Sequence, residues 1–250
     1  MSRIETWLDQ QMQQKRYCVL SGSALKLIAL LTMLLDHTAE ILFSQMQFAT
    51  DAILSIGSHQ ITLYWICRMI GRLAFPIYCF LLTEGYTYTH NKRKYGLNLF
   101  VFALISEIPW DLEHNGKMFC SGQNVFFTLF LGFLAIFCFD RFREEKPKLL
   151  ISILSLFATA LLLNADYGIR GMSVILLMYI LRDHRIPQAV IISGVFQHAW
   201  MLLAAFIPIN MYNGKRGFIK GKPAKYLFYA AYPLHILLLY YLKNKYFGYD

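Results

Sequence analysis

The chain is 250 residues long, 57% hydrophobic, and carries 24 Lys and Arg against 15 Asp and Glu, a formal charge of +9. Its apolar runs of about 18–22 residues each match a hydrocarbon core of about 30 Å, which excludes a soluble domain. The basic residues sit mainly in short loops between those runs, as in a multi-span membrane protein, so no nucleic-acid partner is expected.

Residues 1–23 form a polar extension in which Ile4, Trp7, Leu8 and Met12 give an amphipathic pattern suited to a membrane surface. No A-x-A cleavage site follows, so the first apolar run, residues 25–43 (LKLIALLTMLLDHTAEILF), is expected to remain as span 1. The connection 44–63 is polar and lacks Lys and Arg. Span 2, about 65–87, holds Arg68, Arg72, Pro76 and Glu84 and leads to the basic loop 90–94 (HNKRK). Span 3 covers about 95–112 and ends in SEIPWDL, and span 4 runs from about 124 to 139. The charged loop 140–148 precedes span 5, about 149–163, and the turn NADYGIRG (164–171) opens span 6, about 172–181. RDHR precedes span 7, about 188–208, and the long basic loop 210–225 precedes span 8, about 226–242. The pattern predicts an all-α polytopic membrane bundle of about eight transmembrane helices, residues 24–245 forming a single membrane domain.

With the N-terminus in the cytoplasm, fifteen of the 24 basic residues fall on the cytosolic side. Five of the other nine (Lys215, Arg216, Lys220, Lys222, Lys225) cluster in loop 210–225, which this arrangement places outside, against the rule. Five cysteines, at positions 18, 67, 79, 120 and 138, show neither disulfide nor metal-ligand spacing, and no H-E-x-x-H occurs, so no metal is expected.

The chemistry-bearing residues lie inside spans. Asp36, His37 and Glu40 interrupt span 1, where each ionisable group costs about 2.5–3.5 kcal/mol on insertion scales and so needs a partner, water or a job. A carboxylate that orients an imidazole is what a general base requires, so His37 is the candidate base with Asp36 or Glu40 to orient it; a polar clamp between helices is the bland alternative. Arg68 and Arg72, at i and i+4, share a helix face, suit a phosphate or an oxyanion, and equally suit neutralising Asp36 and Glu40. Pro76 leaves the Arg72 carbonyl without its helical partner, predicting a bend there.

Glu107 and Asp111 are also at i and i+4, and pairing with Arg170 or Arg68 is expected. Asn124 and Thr128 open span 4, and Asp166 and Arg170 flank a glycine turn where a helix-start salt bridge is expected. On this topology the polar residues converge on one cavity opening outward. YNGKRG (212–217) combines a turn with Asn213, Lys215 and Arg216, whose amides and charges could cradle an anion. His198 and His235 are expected to be helix-packing groups rather than catalysts, with His235 counted among the residues of the polar cavity.

LKLIALLTMLLDH (25–37), GRLAFPIYCFLLTEGY (71–86), KYGLNLFVFALISEIPWDL (94–112), NVFFTLFLG (124–132), DYGIRG (166–171) and YNGKRG…YAAYPLHILLLY (212–240) together resemble the TraX family of bacterial membrane proteins. TraX proteins are described as acetylating the N-terminus of F-type conjugative pilin, and the family is similar to multi-span acyltransferases that carry a functional histidine in an early span. The resemblance implies an acetyl-CoA-dependent acetyltransferase of the bacterial cytoplasmic membrane, with His37 as base or acyl carrier. On this reading Arg68 and Arg72 stabilise the oxyanion or bind donor phosphates, and the acceptor is extracytoplasmic, either pilin or a surface glycan; a reversed topology would instead put Asn213, Lys215 and Arg216 on the donor phosphates in the cytosol, but misplaces most other basic loops. A proton-coupled transporter or channel, and an assembly or scaffold protein of a conjugation or secretion system, are the alternative readings, because intramembrane Asp, Glu and His also mark ion paths. The acceptor and the oligomeric state are not legible in the sequence.

Overall fold

The computed structural model describes residues 17–57, 59–118, 120–195 and 199–248. Ile4, Trp7, Leu8, Met12 and His198 lie outside them, so the readings placed on those residues are not addressed.

The first apolar run folds as α1, Gly22–Ile41, where the Ser21 hydroxyl caps the helix by accepting the Ala24 N–H at 3.3 Å. The connection that follows holds a short 3-10 turn, α2 (Gln47–Thr50) and an antiparallel hairpin of β1 (Ala52–Ile56) and β2 (His59–Thr62). Its register pairs Ala52 with Thr62 and Ser55 with Gln60, with a bulge between Ala52 and Leu54. This hairpin is the departure from an all-helical chain. Gly57, at φ 60°, lets the turn close, and Ile53, Leu54 and Ile61 are β-branched or large apolar residues that fit strands.

Span 2 folds as two helices, α3 (Leu63–Gly71) and α4 (Ala74–Tyr88). The break falls at Arg72 and Leu73, where Pro76 cannot donate to the Arg72 carbonyl. α5 (Lys92–Asn115) runs on through Pro109 and ends at Gly116 in the left-handed region. α6 (Val125–Phe142) starts from an Asn124 cap, and α7 (Lys146–Leu162) and α8 (Gly168–Ile180) follow. Three stretches, Gly22–Gln45, Leu63–Tyr88 and Val125–Phe142, are long and apolar enough to cross a membrane. Outward-facing Leu31, Leu150, Leu161 and Leu162 clothe the bundle in apolar side chains, while Leu25, Ile77, Tyr86, Ile136 and Ile175 fill its interior.

The expected span over 188–208 resolves instead into α9 (Arg185–Ser193) and α10 (Ala199–Asn210). α9 stops at Gly194, the poorest helix former after proline. The two helices double back on each other, since Arg185 at the start of α9 donates to the Ile209 carbonyl near the end of α10 at 3.2 Å. The loop after α10 therefore returns to the face it left.

That loop meets the start of α1. Leu20 N–H donates to Met211 (2.9 Å), Asn213 N–H to Leu20 (2.9 Å), Gly22 N–H to Lys215 (2.8 Å) and Ser23 N–H to Arg216 (2.9 Å). The expectation that residues 210–225 lie on the face opposite the N-terminal end of span 1 is thus corrected. Both are on one face. The last helix, α11 (Lys222–Phe247), starts there and lies alongside α1 and α5, running parallel to both. Its Lys225 faces Lys94 near the start of α5, and its Lys243 pairs with Glu113 near the far end of α5 at 3.2 Å.

Candidate active site

A cavity of about 740 Å³ runs through the bundle from the end where loop 210–221 covers α1. Its mouth is lined by Gly22, Lys26, Lys94, Gly214, Arg216 and Lys225. Its waist is aromatic, with Phe75, Tyr78, Tyr95, Phe228 and Tyr229 among the walls. Its inner end holds Asp36, His37, Asp166, Tyr167 and Tyr232. His37 lies eleven residues beyond Lys26 on α1, about 16 Å at a rise of about 1.5 Å per residue.

At that inner end two imidazoles meet. His37 Nδ1 lies 2.5 Å from His235 Nε2, and His235 Nδ1 lies 2.7 Å from the Ala231 carbonyl on its own helix. A carbonyl can only accept, so His235 Nδ1 carries its ring's proton and Nε2 is left as an acceptor. His37 Nδ1–H then donates to it, and the remaining nitrogen of His37, Nε2, keeps a free lone pair. The geometry selects the tautomer a base needs. Tyr232, one turn before His235, presents its ring edge to His37 with centroids 5.8 Å apart. Its hydroxyl is buried, its oxygen facing the Val125 N–H at the start of α6.

Asp36 and Glu40 do not orient His37, and that expectation is corrected. Both carboxylates converge on Arg68, whose Nη1 lies 2.7 Å from Asp36 Oδ2 and 2.8 Å from Glu40 Oε2. Asp36 can sit there because Gly71 has no side chain: a Cβ at that position would stand 2.2 Å from Asp36 Oδ1. The triad runs from Glu40, at 44% side-chain exposure, inward to Asp36 at 14%. Arg68 is thereby committed to carboxylates, the charge-neutralising role of the two weighed for it.

Arg72 caps α3 and makes no ion pair with either carboxylate among the described residues; its Nε is buried and unpaired, and its charge lies near Asp36, Asp166 and Tyr167. Neither arginine is among the cavity-lining residues.

The other site residues separate. Glu107 accepts from Asn124 Nδ2 at 2.5 Å, the same amide donates to the Ala103 carbonyl at 2.8 Å, and Asp111 accepts the Cys120 N–H at 3.1 Å. Amides rather than Arg170 or Arg68 meet these two acids. Thr128 donates to the Asp166 carbonyl, and Asp166 Oδ1 accepts the Tyr167 N–H at 3.0 Å. The Asp166 side chain turns into the cavity while Arg170 is exposed, so the expected Asp166–Arg170 bridge is replaced by a turn. Tyr167 closes that turn at φ 62° and stacks on Phe75 with centroids 3.8 Å apart.

YNGKRG also differs from expectation. The carbonyls of Lys215 and Arg216, not amides, face the start of α1, and Asn213 Oδ1 accepts the Lys215 N–H at 2.9 Å. Gly217, at φ 87°, passes so close to Ser21 that a Cβ would lie 2.4 Å from its hydroxyl. The motif is chiefly a cap for α1, and of Asn213, Lys215 and Arg216 only Arg216 lines the cavity. Sequence reasoning passed over Lys26 and Tyr232. A lysine one turn into an apolar run was the available sign for the first. No group of His, Cys, Asp and Glu among the described residues has the arrangement of a metal site.

A family described as TraX protein matches residues 21–243. The chain is similar to a protein of Dichelobacter nodosus named as a probable fimbrial assembly protein FimC, serogroup H1. The two are 29% identical over 249 residues, covering 88% of this chain and 94% of the relative. No solved structure matches.

Proposed function

The chain belongs to the TraX family, and on that premise we propose that it is a membrane acetyltransferase moving an acetyl group from acetyl-CoA to an amine or hydroxyl on the outer face. The acceptor is a pilin N-terminus or a surface glycan, and the fimbrial name of the relative favours the pilin. The observation that carries the reading is the His37–His235 pair, with a free His37 Nε2, at the inner end of a cavity whose mouth is cationic.

The reading carries its own topology. It takes seven crossings and a re-entrant hairpin, α9 and α10, in place of eight spans, with the start of α1 and loop 210–225 both on the cytosolic side; the contact between those two segments supports it. Moving the five loop cations in, and Lys243 and Lys245 out, leaves eighteen of the 24 basic residues cytosolic, a better fit to the positive-inside rule than fifteen. The cavity mouth then faces the compartment that supplies the donor, and His37 lies toward the outer leaflet where the acceptor arrives.

The donor supplies a thioester carbonyl as electrophile. His37 Nε2 takes the proton of the acceptor N–H or O–H as that atom attacks, and returns it to the departing sulfur, so the step yields an amide or ester and a thiol with no net proton change. His235 stabilises the imidazolium by accepting from Nδ1. The Tyr232 O–H, buried beside the ring, is the donor assigned to the carbonyl oxygen as charge builds on it. The Asp36–Arg68–Glu40 triad positions α1 against α3 at the outer end.

The test compares pilins and surface glycans by mass spectrometry in cells carrying wild type or His37→Ala. The variant accumulates in the membrane and leaves the acceptor unacetylated. Near-normal acetylation by a His37→Ala protein overturns the assignment.

A further inference from the structure

We propose that Lys26, Lys94, Arg216 and Lys225 form a binding site for the phosphate groups of a nucleotide-type carrier whose linear neutral arm fills the aromatic waist. This rests on the acyl-transfer reading only for what the arm delivers; the phosphate site itself is argued from the mouth.

The four cations come from four separate segments: α1, α5, the loop after α10, and α11. Lys26 faces the charges of Arg216 and Lys225, and Lys225 faces that of Lys94. Like charges gathered round one opening repel, and an anion is what makes such an arrangement favourable. No ion pair engages any of the four among the described residues, whereas Lys92, their neighbour in sequence, is taken up by Asp140 at 3.3 Å. The one carboxylate lining the mouth half of the cavity, Glu84, is hydrogen-bonded to Tyr212 and lies near Arg182 and Arg185.

The depth of the channel narrows the ligand class. Two parallel helices carry nearly equal spacings, eleven residues from Lys26 to His37 on α1 and ten from Lys225 to His235 on α11. Cations at one level and imidazoles at another, about 16 Å apart, with aromatic walls between, suit a phosphorylated head joined to an extended uncharged arm. A free phosphate would leave the waist, with Tyr78, Tyr95 and Tyr229 among its walls, unfilled.

The experiment uses the full chain in nanodiscs of phosphatidylcholine alone and measures binding of adenosine 3′,5′-bisphosphate and of coenzyme A by calorimetry. Lys94→Gln and Lys225→Gln are expected to weaken both probes about tenfold or more each, since a charge-assisted contact is lost. Added salt, about 0.5 M, is expected to weaken the wild type more than the variants. Unchanged melting temperatures show that the variants fold.

Equal affinity of wild type and variants for both probes overturns the site while leaving acetyl transfer by His37 intact. Binding of the bisphosphate that depends on Lys94 and Lys225, in a protein that transfers no acetyl group, sustains the site and sinks the acyltransferase reading. A third arm repeats the titration in nanodiscs containing phosphatidylglycerol. Complete loss of bisphosphate binding there assigns the cations to a lipid headgroup and overturns the nucleotide.

Discussion

Replacing His235 separates a positioning role from a packing role. His235→Leu keeps the volume of an apolar side chain but removes the acceptor at 2.5 Å from His37 Nδ1. Two consequences follow. The buried His37 N–H loses its partner, which costs about 1–3 kcal/mol. The proton is then free to sit on Nε2, the nitrogen that must be bare for catalysis. Because about 1.4 kcal/mol is a factor of ten, the first effect alone slows turnover about 5- to 150-fold. His235→Gln is the control, since its amide oxygen reaches the place of Nε2 and can accept from Nδ1–H. Turnover by purified protein with acetyl-CoA and a synthetic pilin N-terminal peptide is expected to fall in the order wild type, Gln, Leu, with KM for the peptide nearly constant. Equal turnover of the Gln and Leu variants, or a Leu variant as fast as wild type, would refute the argument, because neither outcome is compatible with His37 needing an acceptor at Nδ1.

Three further outcomes test other parts of the structure. In an otherwise cysteine-free protein, Asn213→Cys is expected to resist impermeant maleimide applied to intact cells, whereas Lys245→Cys is expected to be labelled; labelling of position 213 returns the basic loop to the outside. Arg68→Met strands two carboxylates, one of them half-exposed, and is expected to destabilise by about 3 kcal/mol, read as a lower melting temperature in detergent, with Asp36→Asn in the same chain recovering part of it. Beyond the membrane end of α5, burial alone would lower the His114 pKa and raise that of Glu113, but their mutual contact at 2.9 Å reverses both: His114 titrates above 6.5 and Glu113, held also by Lys243, below 4.5. The stability this pair contributes is present between those values. It is lost as pH rises through the His114 value or falls through that of Glu113, so Glu113→Gln should lower the melting temperature more at pH 6 than at pH 9.

What was legible in the sequence was local. The apolar run 25–43 gave α1, Pro76 gave the break between α3 and α4, and the four-residue spacings put Asp36 and Glu40 where one arginine could meet both. What was not legible depended on long-range register. The run 188–208 is apolar apart from Gln188, Ser193, Gln197 and His198, too few to distinguish one crossing from a hairpin that leaves α9 at Gly194. That single ambiguity inverted the side of everything after it, and with it the place of the basic loop. His37 and His235 are 198 residues apart, and nothing in either neighbourhood states that their helices run parallel at matching height. YNGKRG was read as an anion cradle, but it holds the start of α1 through its backbone, two carbonyls and the Asn213 N–H, which every sequence has.

The contact between loop 211–217 and the first turn of α1 sets a common datum from which two helices are measured. From Gly22 along α1 and from Lys222 along α11, the chain counts fifteen and thirteen residues to the two histidines, and their bond tolerates little slippage. Adding one residue between Lys222 and His235 rotates everything beyond it by about 100° and advances it about 1.5 Å. His235 would then face away from His37 while every hydrophobic property of α11 stayed nearly the same. An insertion after Tyr240 leaves the pair untouched. The spacing itself, more than the identity of the intervening residues, is therefore the quantity this protein cannot change.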